Sequence, residues 1–209
     1  MARPKEIDID VADADLTGFL SNATGATWTL TATASTDGLA HRVSIKNDTA
    51  NDHSAKTAVL TGTDSDGKAQ TETVNLPGIS ATVESTKYFL TLTTVVPSAT
   101  IGGDTMDIGW VDEVASKTFP LNYNASTANT YCVDVTGTIN YTVQECFDDI
   151  QNLTAPQQDG DWFSVTALAA KTTDIAAAGI HGATAVRIIV NSYSSGGELQ
   201  LKIVQGAVC

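Results

Sequence analysis

The stretch from Thr27 to Ala34, TWTLTATA, constrains the fold more than any other. Thr27, Thr29, Thr31 and Thr33 fall on one side of an extended chain, and Trp28, Leu30, Ala32 and Ala34 on the other. A helix, with about 3.6 residues per turn, would scatter these side chains around its axis; a strand, with period two, sorts them. About one residue in seven is threonine, and branching at Cβ costs less rotamer freedom in a strand than in a helix. The stretch predicts a half-buried strand with one apolar and one hydroxyl face.

The same alternation runs through both halves. HRVSIKN (41–47) places Val43 and Ile45 together, TKYFLTLTTVV (86–96) aligns Tyr88, Leu90 and Leu92 as one strand, and TMDIGWV (105–111) aligns Met106, Ile108 and Trp110. In the second half Tyr131, Val133 and Val135 alternate, Gly137 marks a turn or bulge, and Ile139, Tyr141, Val143 and Phe147 resume the pattern. TAVRIIVNSY and ELQLKIVQ, joined by Ser194 to Gly197, read as a hairpin with Val186, Ile188 and Val190 facing Leu199, Leu201 and Ile203. WFSVTALAAKTTDIAAAG (162–179) is alanine-rich without a clear stripe, so it reads as strand or short helix. Hydrophobicity drops after Trp110 and Pro120 follows, which puts a boundary near residues 113–120. The expected fold is all-β: two antiparallel β-sandwich domains, jelly-roll or immunoglobulin-like, at 27–115 and 120–209, preceded by an extended N-terminal arm over 1–26.

The segment AVLTGTDSDGKAQTETVNL (58–76) reads as a hairpin. A calcium loop with Gly67 at its sixth position would need ligands at Gly62, Asp64, Asp66 and Thr73, which lacks the first ligand and the closing glutamate. Asp66-Gly67 between alternating runs is instead a tight-turn signal, because glycine accepts the positive φ such turns demand.

A net charge of −13 and a pI near 4.3 repel phosphate backbones and anionic lipid, so neither nucleic acid nor a membrane surface is an expected partner. The sequence has no run of about 18 apolar residues and begins without an apolar signal region. Cys132, Cys146 and Cys209 form no paired motif, and the simplest expectation is synthesis in a reducing compartment.

Residues with catalytic potential are sparse. His41, His53 and His181 have no local nucleophile signature and read as surface histidines; no catalytic residue and no cofactor are expected. Cys132 and Cys146 read as small buried apolar groups. Asp148, Asp149, Asp159 and Asp161 are weak candidates for gathering oxygens around calcium, the alternative being a solvated acidic loop. Trp162 is a weak candidate for a sugar-stacking platform, whereas Trp28 and Trp110 share faces with aliphatic residues and read as core.

YTVQECFDDI, followed by Trp162 and then ATAVRIIVNSYSSGGELQLKIVQG, resembles a module of virion structural proteins of tailed bacteriophages. Val143, Gln144, Phe147, Asp148, Asp149, Arg187 and Gln205 carry the resemblance, over about residues 138–206. Glu145-Cys146 departs from the histidine or threonine common after Val-Gln in that family. The resemblance implies a small β-sandwich that acts by packing, with no catalytic residues. The expected role is a non-enzymatic virion component, foremost a capsid decoration or cement protein that binds the major capsid protein or other virion proteins. On this reading it is a homo-oligomer, a trimer by analogy with capsid threefold sites, assembled in the host cytoplasm. A head-to-tail junction, a tail or fibre component, and a carbohydrate-binding adhesin module are the alternatives.

Overall fold

The structure is a computed structural model that describes residues 5–122, 128–150 and 155–205. Cys209 and the first four residues of the expected arm lie outside the described residues. Among the described residues the chain forms β-strands and two single 3-10 turns, with no α-helix. The strands are β1 (Lys5–Asp10), β2 (Asp15–Ala23), β3 (Ala40–Asn47), β4 (Thr57–Thr63), β5 (Ala69–Asn75), β6 (Thr82–Phe89), β7 (Thr91–Pro97) and β8 (Met106–Ala115). They continue with β9 (Phe119–Pro120), β10 (Thr130–Thr136), β11 (Ile139–Cys146), β12 (Trp162–Ser164), β13 (Ile175–Ala178), β14 (Ala185–Tyr193) and β15 (Glu198–Val204). The strand pairs are antiparallel, as the alternation requires.

The chain divides into two compact units, one of residues 5–11 with 113–205, the other of residues 12–112. The division falls inside β8, after Asp112. In the first unit one sheet has the order β1-β15-β10-β13, and a second runs β12-β11-β14, with β9 and the end of β8 paired to β14. Tyr131, Val133, Val143, Val186, Ile188, Leu199, Leu201 and Ile203 are fully buried. In the second unit β3 lies between β8 and β6, β2 pairs with β8, and β5-β4-β7 form a separate sheet. Phe19, Trp28, Val43, Ile45, Leu60, Phe89, Leu92, Met106, Ile108 and Trp110 belong to one core cluster. Trp110 packs edge-on to Phe19 at 5.1 Å and donates its indole N–H to the Asp13 carbonyl.

The strands depart from the sequence expectations at several points. The expected arm contains two strands, Lys5–Asp10 and Asp15–Ala23: β1 pairs with β15 along its full length, and β2 pairs with β8. The acidic residues that suggested a solvated leader, such as Asp8 and Asp10, alternate with the buried Ile9 on a sheet edge. The expected single strand 86–96 breaks at Leu90 into β6 and β7, which pair with β3 and β4 respectively. The Leu90 amide turns to the Thr63 carbonyl at the corner. β14 and β15 form no hairpin, because β14 pairs with β11 and β15 with β1 and β10. Their apolar residues are buried as expected, but alternation specifies a buried face and not the neighbour beside it. β10 and β11 likewise belong to different sheets on either side of Gly137. The ambiguous stretch 162–179 holds β12, β13 and one 3-10 turn.

The stretch 27–34 keeps its sorting without becoming a regular strand. Trp28 is buried and bridges Val95 of β7, and the Thr33 carbonyl accepts the Leu92 amide. Between these two contacts the Thr31 and Ala32 amides turn instead to the Phe19 carbonyl.

The hairpin at 58–76 forms as read, with β4 and β5 in continuous register. Asp64 Oδ1 accepts the amides of Asp66 and Lys68, and Gly67 sits at φ +79°. Two glycines of this hairpin serve different needs. A Cβ on Gly62 would collide with the Thr91 carbonyl, whereas a Cβ on Gly67 would meet nothing within 4 Å and suffer only its positive φ. Gly62→Ala is therefore expected to cost about 3 kcal/mol through overpacking, and Gly67→Ala about 1 kcal/mol through backbone strain. Urea unfolding of the two variants checks this order, and equal midpoints would contradict it.

Candidate interaction surface

The sheet β5-β4-β7 divides its side chains completely. Ala58, Leu60, Val74, Leu92 and Val95 point into the core of the second unit. The opposite face carries Thr57, Val59, Thr61 and Thr63 on β4, and Ala69, Thr71, Thr73 and Asn75 on β5. Register aligns these rows: Val59 lies between Thr73 and Val96, Thr61 between Thr71 and Thr94, and Thr63 between Ala69 and Thr91. Thr27 and Thr29, flanking the bridge from Trp28 to Val95, continue the hydroxyl face beyond β7.

No charged side chain occupies these aligned positions, although the chain carries a net charge of −13. Glu72, the one acid on β5, sits on the opposite pleat and accepts the amides of Thr86 and Lys87. Val59 and Val96 are large hydrophobic residues left exposed at the centre of the face, at 39% and 55%. The hydroxyls are partly engaged locally: Thr63 and Thr91 hydrogen-bond across strands at 2.7 Å, and a bulge lets Thr93 donate to the Thr61 carbonyl. A face of this kind can take a complementary surface without desolvating a charge, since a buried unpaired charge is the costliest interface defect. Strands of about seven residues at 3.3 Å per residue, spaced about 4.8 Å apart, give a contact area on the order of 400 Å².

The four candidate aspartates and Trp162 lie in the first unit, beyond the end of β11 and at the start of β12. Asp148 Oδ2 accepts the Asp161 amide at 2.8 Å and lies 3.8 Å from the Cys146 thiol. Asp149, Asp159 and Asp161 are exposed. Among the described residues no three Asp, Glu, His or Cys side chains gather as metal ligands. Trp162 is half-buried against Cys146, Ile150 and Ala185. The Arg187 guanidinium stacks on its ring at 4.1 Å, and its indole N–H donates to the Gln157 carbonyl. Arg187 also donates to Gln144 Oε1 at 2.8 Å and to Gln157 Oε1 at 2.7 Å, while the Gln157 amide reaches the Thr118 hydroxyl. The ring face covered by the arginine is closed to a stacking sugar. Gln144 and Arg187 of the resembling motif thus meet, but as partners in a packed array.

The histidines also differ from expectation. His41 and His53 are buried, not superficial, and only His181 is exposed. His41 Nδ1 lies 2.7 Å from the Val111 carbonyl oxygen and Nε2 2.8 Å from Asp37 Oδ2. Burial would raise the Asp37 pKa, but hydrogen bonds from His41, the Ala12 and Leu39 amides and the Ser35 hydroxyl outweigh it and hold the carboxyl far below its usual range. His53 donates to Asp104 Oδ2, and its other nitrogen accepts from Lys56 Nζ. Each ring spends both nitrogens on structure, so neither has one left for a reacting group in this arrangement. Cys146 is buried and Cys132 half-buried, both as free thiols.

Sequence reasoning missed Glu145. Its carboxylate is wholly buried, accepting the Tyr131 hydroxyl at 2.6 Å and the Ile180 amide at 2.8 Å. Gly179 makes room, because a Cβ there would collide with Glu145 and the Tyr131 ring. Burial pushes the Glu145 pKa up against the lowering pull of these two bonds, and burial with the Glu145 charge pushes Tyr131 far up. The only local signal was an acid at an inward position of the alternation, in place of an apolar residue. A scan against models of known protein families finds no match, and a search of curated proteins finds none either.

A carboxyl whose folded pKa is raised contributes most at low pH, and that contribution is lost as pH climbs from the ordinary glutamate range through the folded value. Tyr131→Phe withdraws a donor to the charged form and raises the folded value further. The variant is expected to lose about 2 kcal/mol at pH 7 and distinctly less near pH 4. Denaturant titrations at the two pH values measure this; an equal loss at both would contradict the assignment.

Proposed function

We propose that this chain is a non-enzymatic structural component of a tailed-bacteriophage particle, a capsid decoration protein that works through repeated protein–protein contacts. The uncharged threonine face of β5-β4-β7 is the observation that carries this reading. At on the order of 400 Å², the face is about half the roughly 800 Å² per partner of a standard stable interface. A single such contact is weak, and it becomes useful when many copies engage a repeating lattice at once. The strongly acidic remainder of the chain keeps free copies apart until a partner presents itself.

Each compact unit is read as one β-sandwich, with virion proteins as partners and a homo-oligomer, a trimer on capsid geometry, as the working form. The resemblance through Val143, Gln144, Phe147, Asp148, Asp149, Arg187 and Gln205 supports the phage assignment. A place at the head-to-tail junction or in the tail would use the same face.

Thr61→Lys combined with Thr73→Lys puts two charges on the face at exposed or half-exposed positions. The unfolding free energy is expected to change by no more than about 0.5 kcal/mol, while co-sedimentation with particles that normally carry the chain falls at least tenfold. Unchanged incorporation of a folded double variant would overturn the role given to this face.

A further inference from the structure

We propose that the edge strand β12 and the phenylalanine pair beside it form a docking site for an extended, basic segment of a partner protein. This rests on the reading of the chain as a protein-binding component and names the chemistry of one partner. Among the described residues β12 ends its sheet and pairs with β11 alone, through Gln144–Ser164, Glu145–Phe163 and Cys146–Trp162. An edge strand offers unpaired backbone groups to an incoming strand, and chains that need no partner cover or charge such edges. This edge carries an apolar group: Phe163 is 51% exposed and meets Phe147, 40% exposed, edge to face at 5.8 Å. Ile180, also exposed, is tied by its amide to Glu145, the residue opposite Phe163.

The site is held ready. Trp162, one residue before Phe163, is fixed by the Gln157 carbonyl and by the Arg187 guanidinium on its face. Arg187 is itself nearly buried and committed to Gln144 and Gln157, so it spends its charge inward. Asp149, Asp159 and Asp161 are exposed and Asp148 is half-buried. Asp148 and Asp149 follow Phe147 directly, Asp159 and Asp161 precede Phe163, and the Asp161 amide bonded to Asp148 ties the two acidic turns together.

Charge selects the occupant. A second copy adding edge to edge would bring the same four aspartates against these, and like charges facing across strands repel. Lysine or arginine on an incoming strand would meet the carboxylates while its alternate residues cover the phenyl rings, and a guanidinium could also stack on a ring. A three-residue edge supplies only about two backbone hydrogen bonds, so the rings and carboxylates must provide the remaining affinity and all of the selectivity.

The test is selection from a random ten-residue displayed peptide library on the intact chain, followed by titration of the recovered peptides. The expected peptides carry several Lys or Arg alternating with aromatic or β-branched residues. Their dissociation constant should rise at least tenfold in Phe163→Ala and in the triple variant Asp149→Asn, Asp159→Asn, Asp161→Asn, each shown to keep the parent unfolding midpoint. It should also rise with salt in the parent and much less in the triple variant. Thr61→Lys with Thr73→Lys should leave it unchanged, so failure here is separable from failure of the threonine face. Recovery of no peptide, of acidic or neutral peptides, or of basic peptides indifferent to both variants would overturn the proposal. So would dimerisation of the chain that Phe163→Ala abolishes.

Discussion

A pleated strand must send alternate side chains to opposite sides, and the account of this molecule rests on that constraint. In β4 it drives Ala58 and Leu60 into a core while holding Thr57, Val59 and Thr61 outward, with no residue free to serve both sides. Because the outward residues are neutral and β-branched, the same pattern that folds the sheet also composes its contact face. Gly62 shows how tightly the two are joined: it sits at the bulge where β7 comes closest, and it has no side chain to spare.

Much of the fold was legible because alternation depends only on local sequence. β3, the β4–β5 hairpin and β8 appear where Val43 and Ile45, Asp66-Gly67, and Met106, Ile108 and Trp110 put them. Pairing partners were not legible. Val186 and Leu199 are buried wherever their strands find company, and nothing in either strand distinguishes a hairpin from a corner between sheets. The N-terminal strand was hidden for a related reason, since Ile7 and Ile9 among acids carry too few apolar residues to stand out, and only pairing with β15 gives them a core to enter.

The candidate surfaces divide in the same way. The threonine rows could be anticipated from TWTLTATA and AVLTGT, although their alignment into one face needed the register of three strands. Trp162, Gln144 and Arg187 were visible as separate residues, but the stacking that closes the indole face joins positions far apart in sequence. Glu145 and His41 were misread or missed because a buried acid or imidazole is distinguished by its partners, here Tyr131 and Asp37, and partners are set by the tertiary fold. These satisfied polar pairs fix the geometry of strands whose apolar contacts alone would tolerate sliding.

A reconstruction, at side-chain resolution, of a particle that contains this chain tests the central claim most directly. The account predicts that Thr61, Thr73, Val59 and Val96 lie against a neighbouring subunit, with their outward side chains shielded from solvent. A particle in which these side chains stay open to water while another face makes the contacts would contradict it.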